Sequence, residues 1–255
     1  MKRRSVKLFL VILAVWVLVP LAISYLRYTP PQWSWSQAPR HSAGLAPDPA
    51  KHSEAIVLVY VARAFSWRGI FAIHPWISVK RQNGPAFTRY DVVGWGGGAK
   101  VRENYGPADG LWYGAEPELL ADFRGPEAEA MIDRIEVAVA SYPFKDTYRT
   151  WPGPNSNTFL AHIARNVPEM RLDIPANAIG KDYRRWYEPF SRAPSGTGFQ
   201  VSLLGLAGLT VGLEEGIEIN LLSLSFGVDL QQPGLRLPGI GRVGLPQAAA
   251  APPGG

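Results

Sequence analysis

Apolar and polar positions divide the chain into one unbroken apolar run, a proline-rich stretch, and a body of short apolar periods punctuated by turn residues. Residues 8–26 (LFLVILAVWVLVPLAISYL) hold nineteen positions without a charge. At about 1.5 Å of rise per residue such a helix spans roughly 28 Å, close to the hydrocarbon thickness of a bilayer. In the body, the β-branched run 55–64 (AIVLVYVARA) predicts a buried strand. Residues 70–80 predict a second, with Phe71, Ile73, Ile77 and Val79 on one face and His74, Trp76 and Ser78 on the other. Asn83-Gly84-Pro85 is a turn into a third strand, 87–95, and Gly96-Gly97-Gly98 allows a change of direction.

Two helices follow. In 126–141, Pro126 suits the first helical position, and Ala128, Met131, Ile135, Ala138 and Val139 line one side. After Pro154, Phe159, Leu160, Ile163 and Val167 recur at helical spacing until Pro168 ends the run. The last third reads as strands. Ile217, Ile219 and Leu221 alternate with Glu218 and Asn220; the phase then slips, so that Leu222, Leu224, Phe226, Val228 and Leu230 alternate with Ser223, Ser225, Gly227 and Asp229. A bulge or tight turn at Leu221–Leu222 explains the slip. The apolar run 201–213 is too short to cross a membrane and reads as a core hairpin.

These patterns predict an α+β fold: an N-terminal transmembrane helix, then a bent antiparallel sheet or partial barrel packed by two helices. The expected division is a cytoplasmic basic segment (1–7), an anchor (8–26), a linker (27–54), an exported domain (55–238) and a flexible tail (239–255). The linker, rich in Pro, Ala, Ser and Trp, reads as a tether that lifts the domain off the membrane.

Composition supports a folded body. Of 255 residues, 47% are hydrophobic and 18% charged, enough for a core, while 26 glycines and 23 prolines favour short strands over long helices. Lys2, Arg3, Arg4 and Lys7 precede the apolar run and carry four of the five net positive charges. The positive-inside rule therefore keeps the N-terminus in the cytoplasm and exports the rest, across a bacterial inner membrane into the periplasm. Cleavage as a signal peptide after Ala22-Ile23-Ser24 is the competing reading, against which the length of the apolar core argues. With so little positive charge left for the body, nucleic acid is excluded as a partner. The expected partners are the membrane, through residues 8–26, and an envelope partner or substrate. The absence of cysteine rules out disulfides and thiol chemistry, and His41, His52, His74 and His162 stand too far apart for a local metal motif. No cofactor is expected.

The most distinctive string is WPGPNSNTF (151–159). Two prolines and a glycine force a turn straight into the second helix, placing Asn155 or Ser156 at its start. One reading is an N-cap. The other is catalytic: the Ser156 hydroxyl sits among free N–H groups suited to an oxyanion, and needs a neighbouring base. His74 is either a structural histidine or that base, and Asp91 on the next strand either faces solvent or orients the ring. Asn155, Asn157, Trp76 and Trp151 are expected around the same pocket. Gly96–98 and Gly180-Lys181-Asp182 lack the spacing of nucleotide or phosphate loops. Glu214, Glu215 and Glu218 read as a turn and a solvated strand face.

The segments SWRGIFAIHPWISVK (66–80), YDVVGWG (90–96), WYGAEPELL (112–120), WPGPNSNTF and AIGKDY (178–183), with the leucine- and glycine-rich stretch after SGTG (195–198), resemble a bacterial family of unknown function, domain of unknown function 3750. That resemblance implies no activity. The order of motifs is also similar to circularly permuted papain-like proteins, the PPPDE peptidases and the lecithin retinol acyltransferase-like group. These carry a histidine on an early strand and an Asn-Cys-Asn-type motif opening a later helix. The similarity implies that His74 and Asn155-Ser156-Asn157 occupy those places, with Ser156 replacing the cysteine. Serine lacks the thiol's low pKa, so the implied chemistry is serine-dependent hydrolysis or acyl transfer, or a binding site on the same fold.

Overall fold

The computed structural model describes residues 2–245, without the side chains of residues 2–5, 9 and 10. Helix α1 (Lys2–Arg27) contains the apolar run and Pro20, and is long and apolar enough to cross a membrane. Its last turn docks on the body. Ser24 Oγ donates to the carbonyls of Ile70 (2.5 Å) and Gly239 (3.1 Å), and the Tyr28 hydroxyl donates to the Ser66 carbonyl (2.8 Å). Most of the flank before it, including Val11, Val15 and Leu18, is exposed.

The body is α+β and contains two antiparallel sheets, not one bent sheet or partial barrel. The first has the order β4 (Val101–Glu103), β3 (Thr88–Val92), β2 (Ile73–Lys80), β1 (Ile56–Arg63), β5 (Glu118–Arg124). Strand β1 is continuously apolar because both its faces are covered. Val57, Val59 and Val61 meet α2 (Gly125–Ala140) and α3 (Ser156–Asn166) in a core with Ile132, Ile135, Phe159, Leu160 and Ile163. Ile56, Leu58 and Tyr60 face the opposite way, onto Trp76, Trp112 and Tyr113. The helices start and pack as their sequence predicts, with Pro126 in the first turn of α2 and Asn155 capping α3.

The segment 27–54 is not a free tether. Ala38 is buried, Ser42 bridges to Gly110, and the N–H groups of Leu45 (2.6 Å) and Ala46 (2.9 Å) donate to Asp109 Oδ2. It closes the outer side of the first sheet.

The second sheet is a seven-stranded meander in sequence order: β6 (Phe190–Arg192), β7 (Phe199–Leu203), β8 (Ala207–Gly212), β9 (Gly216–Leu221), β10 (Leu224–Asp229), β11 (Gly234–Leu237), β12 (Gly241–Gly244). The phase slip is a two-residue turn: Leu221 pairs with Leu224, and Leu222 and Ser223 between them take φ of 54° and 66°. Strands β7 and β8 form the expected hairpin, but Val201, Leu203 and Leu209 point outward, not into a core. Glu218 is buried, as is Glu215, so neither lies on a solvated face. The inward face is polar because partners wait there. Lys181 Nζ donates to Glu218 Oε2 (2.6 Å), Arg236 donates to Asp173 (2.6 and 2.7 Å), and Asp182 accepts from Gln200 (2.6 Å), Asn220 and Ser225 (both 2.8 Å). Buried polar groups are stable only when so paired. Part of the expected tail is thus ordered sheet, since β12 pairs with β11; residues 246–255 lie outside the described residues.

Candidate functional site: a cavity between β2 and α3

The WPGPNSNTF turn brings α3 to the start of β2. Asn155 caps the helix: its Oδ1 accepts from the N–H of Asn157 (2.9 Å) and Thr158 (3.2 Å), while Thr158 Oγ1 accepts from the Asn155 N–H (3.1 Å). The Asn155 Nδ2 donates to the carbonyls of Thr150 (3.1 Å) and Ile179 (2.9 Å). A side chain on Gly180, at φ +96°, would collide with that amide, so glycine is required there. Asn157 Nδ2 donates to the carbonyls of Ile73 (3.1 Å) and Ile179 (2.8 Å), stitching the helix start to the residue before His74.

His74, Asn155, Ser156 and Asn157 consequently line one cavity of about 540 Å³, walled by Trp35, Phe65, Trp95, Trp112 and Tyr148. The His74 ring lies flat on Trp112, with centroids 3.4 Å apart and planes 4° from parallel. Burial lowers the imidazole pKa below its ordinary 6.5 and outweighs the opposing pull of Asp91, so the ring is neutral at pH 7. Ser156 is buried and its hydroxyl lies beside the Tyr148 phenol. Burial raises that phenol above its usual range, with Ser156 and the Arg68 charge pulling the other way, so Tyr148 stays protonated.

The remaining expected residues divide. Asp91 is fully buried and does not face solvent, because Arg89 donates to its Oδ2 through Nε (3.1 Å) and Nη2 (2.8 Å). His74 Nε2 lies 4.0 Å from that oxygen, beyond hydrogen-bond reach, and is buried without a partner among the described residues. Trp76 sits outside the cavity, stacked on Tyr60 and donating to the Ala108 carbonyl (2.8 Å). Trp151 is exposed and donates to the Leu222 carbonyl (3.0 Å), tying the turn to the second sheet. No hydrogen bond joins His74 to Ser156 among the described residues. The capping box also occupies the Asn157 and Thr158 N–H groups, so the helix start is not the open oxyanion cradle its sequence suggests.

Sequence reasoning missed Trp112, Tyr148 and Arg89. Arg89 was legible, because it stands two residues before Asp91 on one strand face. Trp112 and Tyr148 lie in irregular segments, where no periodicity marks a direction. Among the described residues, no three or more His, Asp or Glu side chains gather as a metal site.

Fold and cavity together define an α+β protein with a histidine and a helix-opening serine lining one cavity. The chain belongs to the family described as protein of unknown function (DUF3750), whose model matches residues 54–183. The matched stretch holds the first sheet, both helices of the body and the residues from Phe65 to Ile179 that line the cavity, and ends before the second sheet. No curated protein and no solved structure matches the chain.

Proposed function

We propose that α1 anchors this protein in a bacterial inner membrane with its α+β domain on the periplasmic side, and that the cavity between β2 and α3 binds a ligand there. The basic cluster before the apolar run supports the orientation. Ser24, within the tripeptide a signal peptidase would read, is buried and bonded to the body, which supports retention of the helix. One observation carries the binding reading: an aromatic-walled cavity of about 540 Å³ is lined by the polar side chains of His74, Asn155, Ser156 and Asn157. The matching chemistry is an apolar or aromatic body with a hydrogen-bonding head such as an amide or ester. In a panel of acylated amides and esters, at least one should quench tryptophan emission of the full-length protein, and Trp112→Leu should weaken that quenching. If every member leaves the emission unchanged, the binding reading fails.

A second reading rests on the juxtaposition of His74 and Ser156 at one cavity, in the order seen in permuted papain-like proteins. In a serine-dependent hydrolase or acyltransferase, the neutral His74 takes the Ser156 proton as Oγ attacks an ester or amide carbonyl. The same proton then passes to the leaving group, and water or an acceptor alcohol releases the acyl group. The protonated Tyr148 and the Ser156 N–H are the donors nearest the developing oxyanion. Asp91 would act from behind the ring. A fluorophosphonate probe should label the wild type and spare Ser156→Ala; equal labelling of both rejects catalysis and leaves binding standing.

A further inference from the structure

The second sheet is built inside out. Gln200, Glu218, Asn220 and Arg236 turn inward and are buried, while their neighbours Val201, Ile219, Leu221 and Leu235 turn outward and are exposed. The strand register continues this division from β7 to β12, ending on the outward Val243. The charged exception on the outer face is Arg192, exposed on the edge strand β6. Leaving one such aliphatic side chain in water forgoes about 1.5–3 kcal/mol relative to burial, and a soluble monomer rarely carries a contiguous apolar patch above a few hundred Å². Something apolar must cover this face.

The structure also indicates what. The apolar face runs onto the flank of α1: Ile12, Leu13 and Trp16 line a common groove of about 280 Å³ with Ile217, Ile219 and Phe226. Those helix positions lie within the segment apolar enough to cross a membrane. We infer that the outer face of the C-terminal sheet is covered by lipid acyl chains of the bilayer that α1 enters, so that the domain is a membrane-embedded platform and not a body held clear of it. The inference rests on the reading of α1 as an anchor. Continuity decides in favour of lipid: the same acyl chains that solvate the exposed side of α1 meet the sheet beside it without an intervening polar rim. Arg192, on the strand farthest from α1 in the sheet order, sets the limit of the covered area at the headgroups.

The chain has no cysteine, so single substitutions carry a nitroxide label without interference. Full-length Leu209→Cys, Leu221→Cys, Val15→Cys and Ala130→Cys are labelled and placed in phosphatidylethanolamine–phosphatidylglycerol nanodiscs. Accessibility to oxygen and to a nickel chelate is then compared. The expected result is that positions 209 and 221 behave as position 15 does, relaxed by oxygen and shielded from nickel, with an oxygen-to-nickel ratio several-fold above that of position 130. Nickel reaching 209 and 221 but not 15 overturns the inference and leaves the anchor intact. Exclusion of both reagents, with dipolar broadening between labels, identifies a second copy as the cover and also overturns it. Nickel reaching position 15 removes the anchor itself, and the inference with it.

Discussion

Arg89 and Asp91, two residues apart on one face of β3, form a lopsided pair: Nε and Nη2 of the arginine both donate to Oδ2, and Oδ1 is buried without a partner among the described residues. That pair stands directly behind His74, whose Nε2 is 4.0 Å from the shared oxygen. Arg89, itself held over the face of Trp76, therefore controls how much of the carboxylate's charge the imidazole feels.

Replacing Arg89 by Gln strips the carboxylate of its main partner and should cost about 3–5 kcal/mol of stability, as unpaired buried charges do. In the surviving folded protein the His74 pKa should rise, because a repelling cation is gone and the carboxylate is uncompensated. Arg89→Lys keeps a cation and should show both effects in smaller form. An NMR titration of the His74 ring that is unchanged or lower in Arg89→Gln contradicts this account.

Asn155 and Ser156 are neighbours with opposite structural weight. Asn155→Ala removes a double cap and leaves the Thr150 and Ile179 carbonyls without its amide, a loss of about 2–4 kcal/mol. Ser156→Ala should cost no more than about 0.5–1.5 kcal/mol, the usual worth of the hydroxyl contact it makes with the Tyr148 phenol. Denaturant midpoints of the two variants decide. Equal losses would make Ser156 a structural residue and not a site residue.

Burial holds both His74 and His162 below the ordinary value of 6.5. As pH falls below about 6.5 the unfolded chain takes up these protons before the folded chain does, so stability is fully present above that pH and declines beneath it. The melting temperature should therefore drop between pH 7.5 and pH 5. His162→Gln, whose amide can still donate to the Ala138 carbonyl that His162 Nε2 meets at 3.0 Å, should flatten part of the decline. A wild-type melting temperature that is constant over this range would refute the assignment.

Lys181 joins the first sheet's side of the molecule to the second sheet through Glu218. Burial alone would lower its amine's pKa, but Glu218 and Asp182 outweigh burial and hold the amine above its usual range. Lys181→Met should cost about 3–5 kcal/mol, and adding Glu218→Gln should recover part of that loss because the orphaned carboxylate is removed. Strict additivity in a double-mutant cycle would mean that the pair is not coupled.

Local pattern was enough for much of this molecule. Helix α1, strands β1 to β3, helices α2 and α3 and, one residue before its observed place, the turn expected at Leu221–Leu222 are legible because a period of 3.6 or 2, a cap or a proline needs only near neighbours. The chain order also identified His74 and Ser156 as partners worth testing, and the basic cluster set the expected direction of the anchor. Tertiary structure alone decided the rest. Packing of α3 on β2, with the bond from Asn157 to the Ile73 carbonyl across 84 positions, brings Ser156 to the cavity that His74 lines. Alternation along β9 separates Ile219 from Glu218, but a period of two says which side chains share a face and not which face turns inward. An isolated carboxylate belongs in water; Glu218 is buried because Lys181 and Arg236 arrive from elsewhere in the fold to neutralise it, whereas Asp91 has its partner Arg89 on its own strand. Burial is set by what lies opposite, and the sequence of one strand does not contain its neighbour.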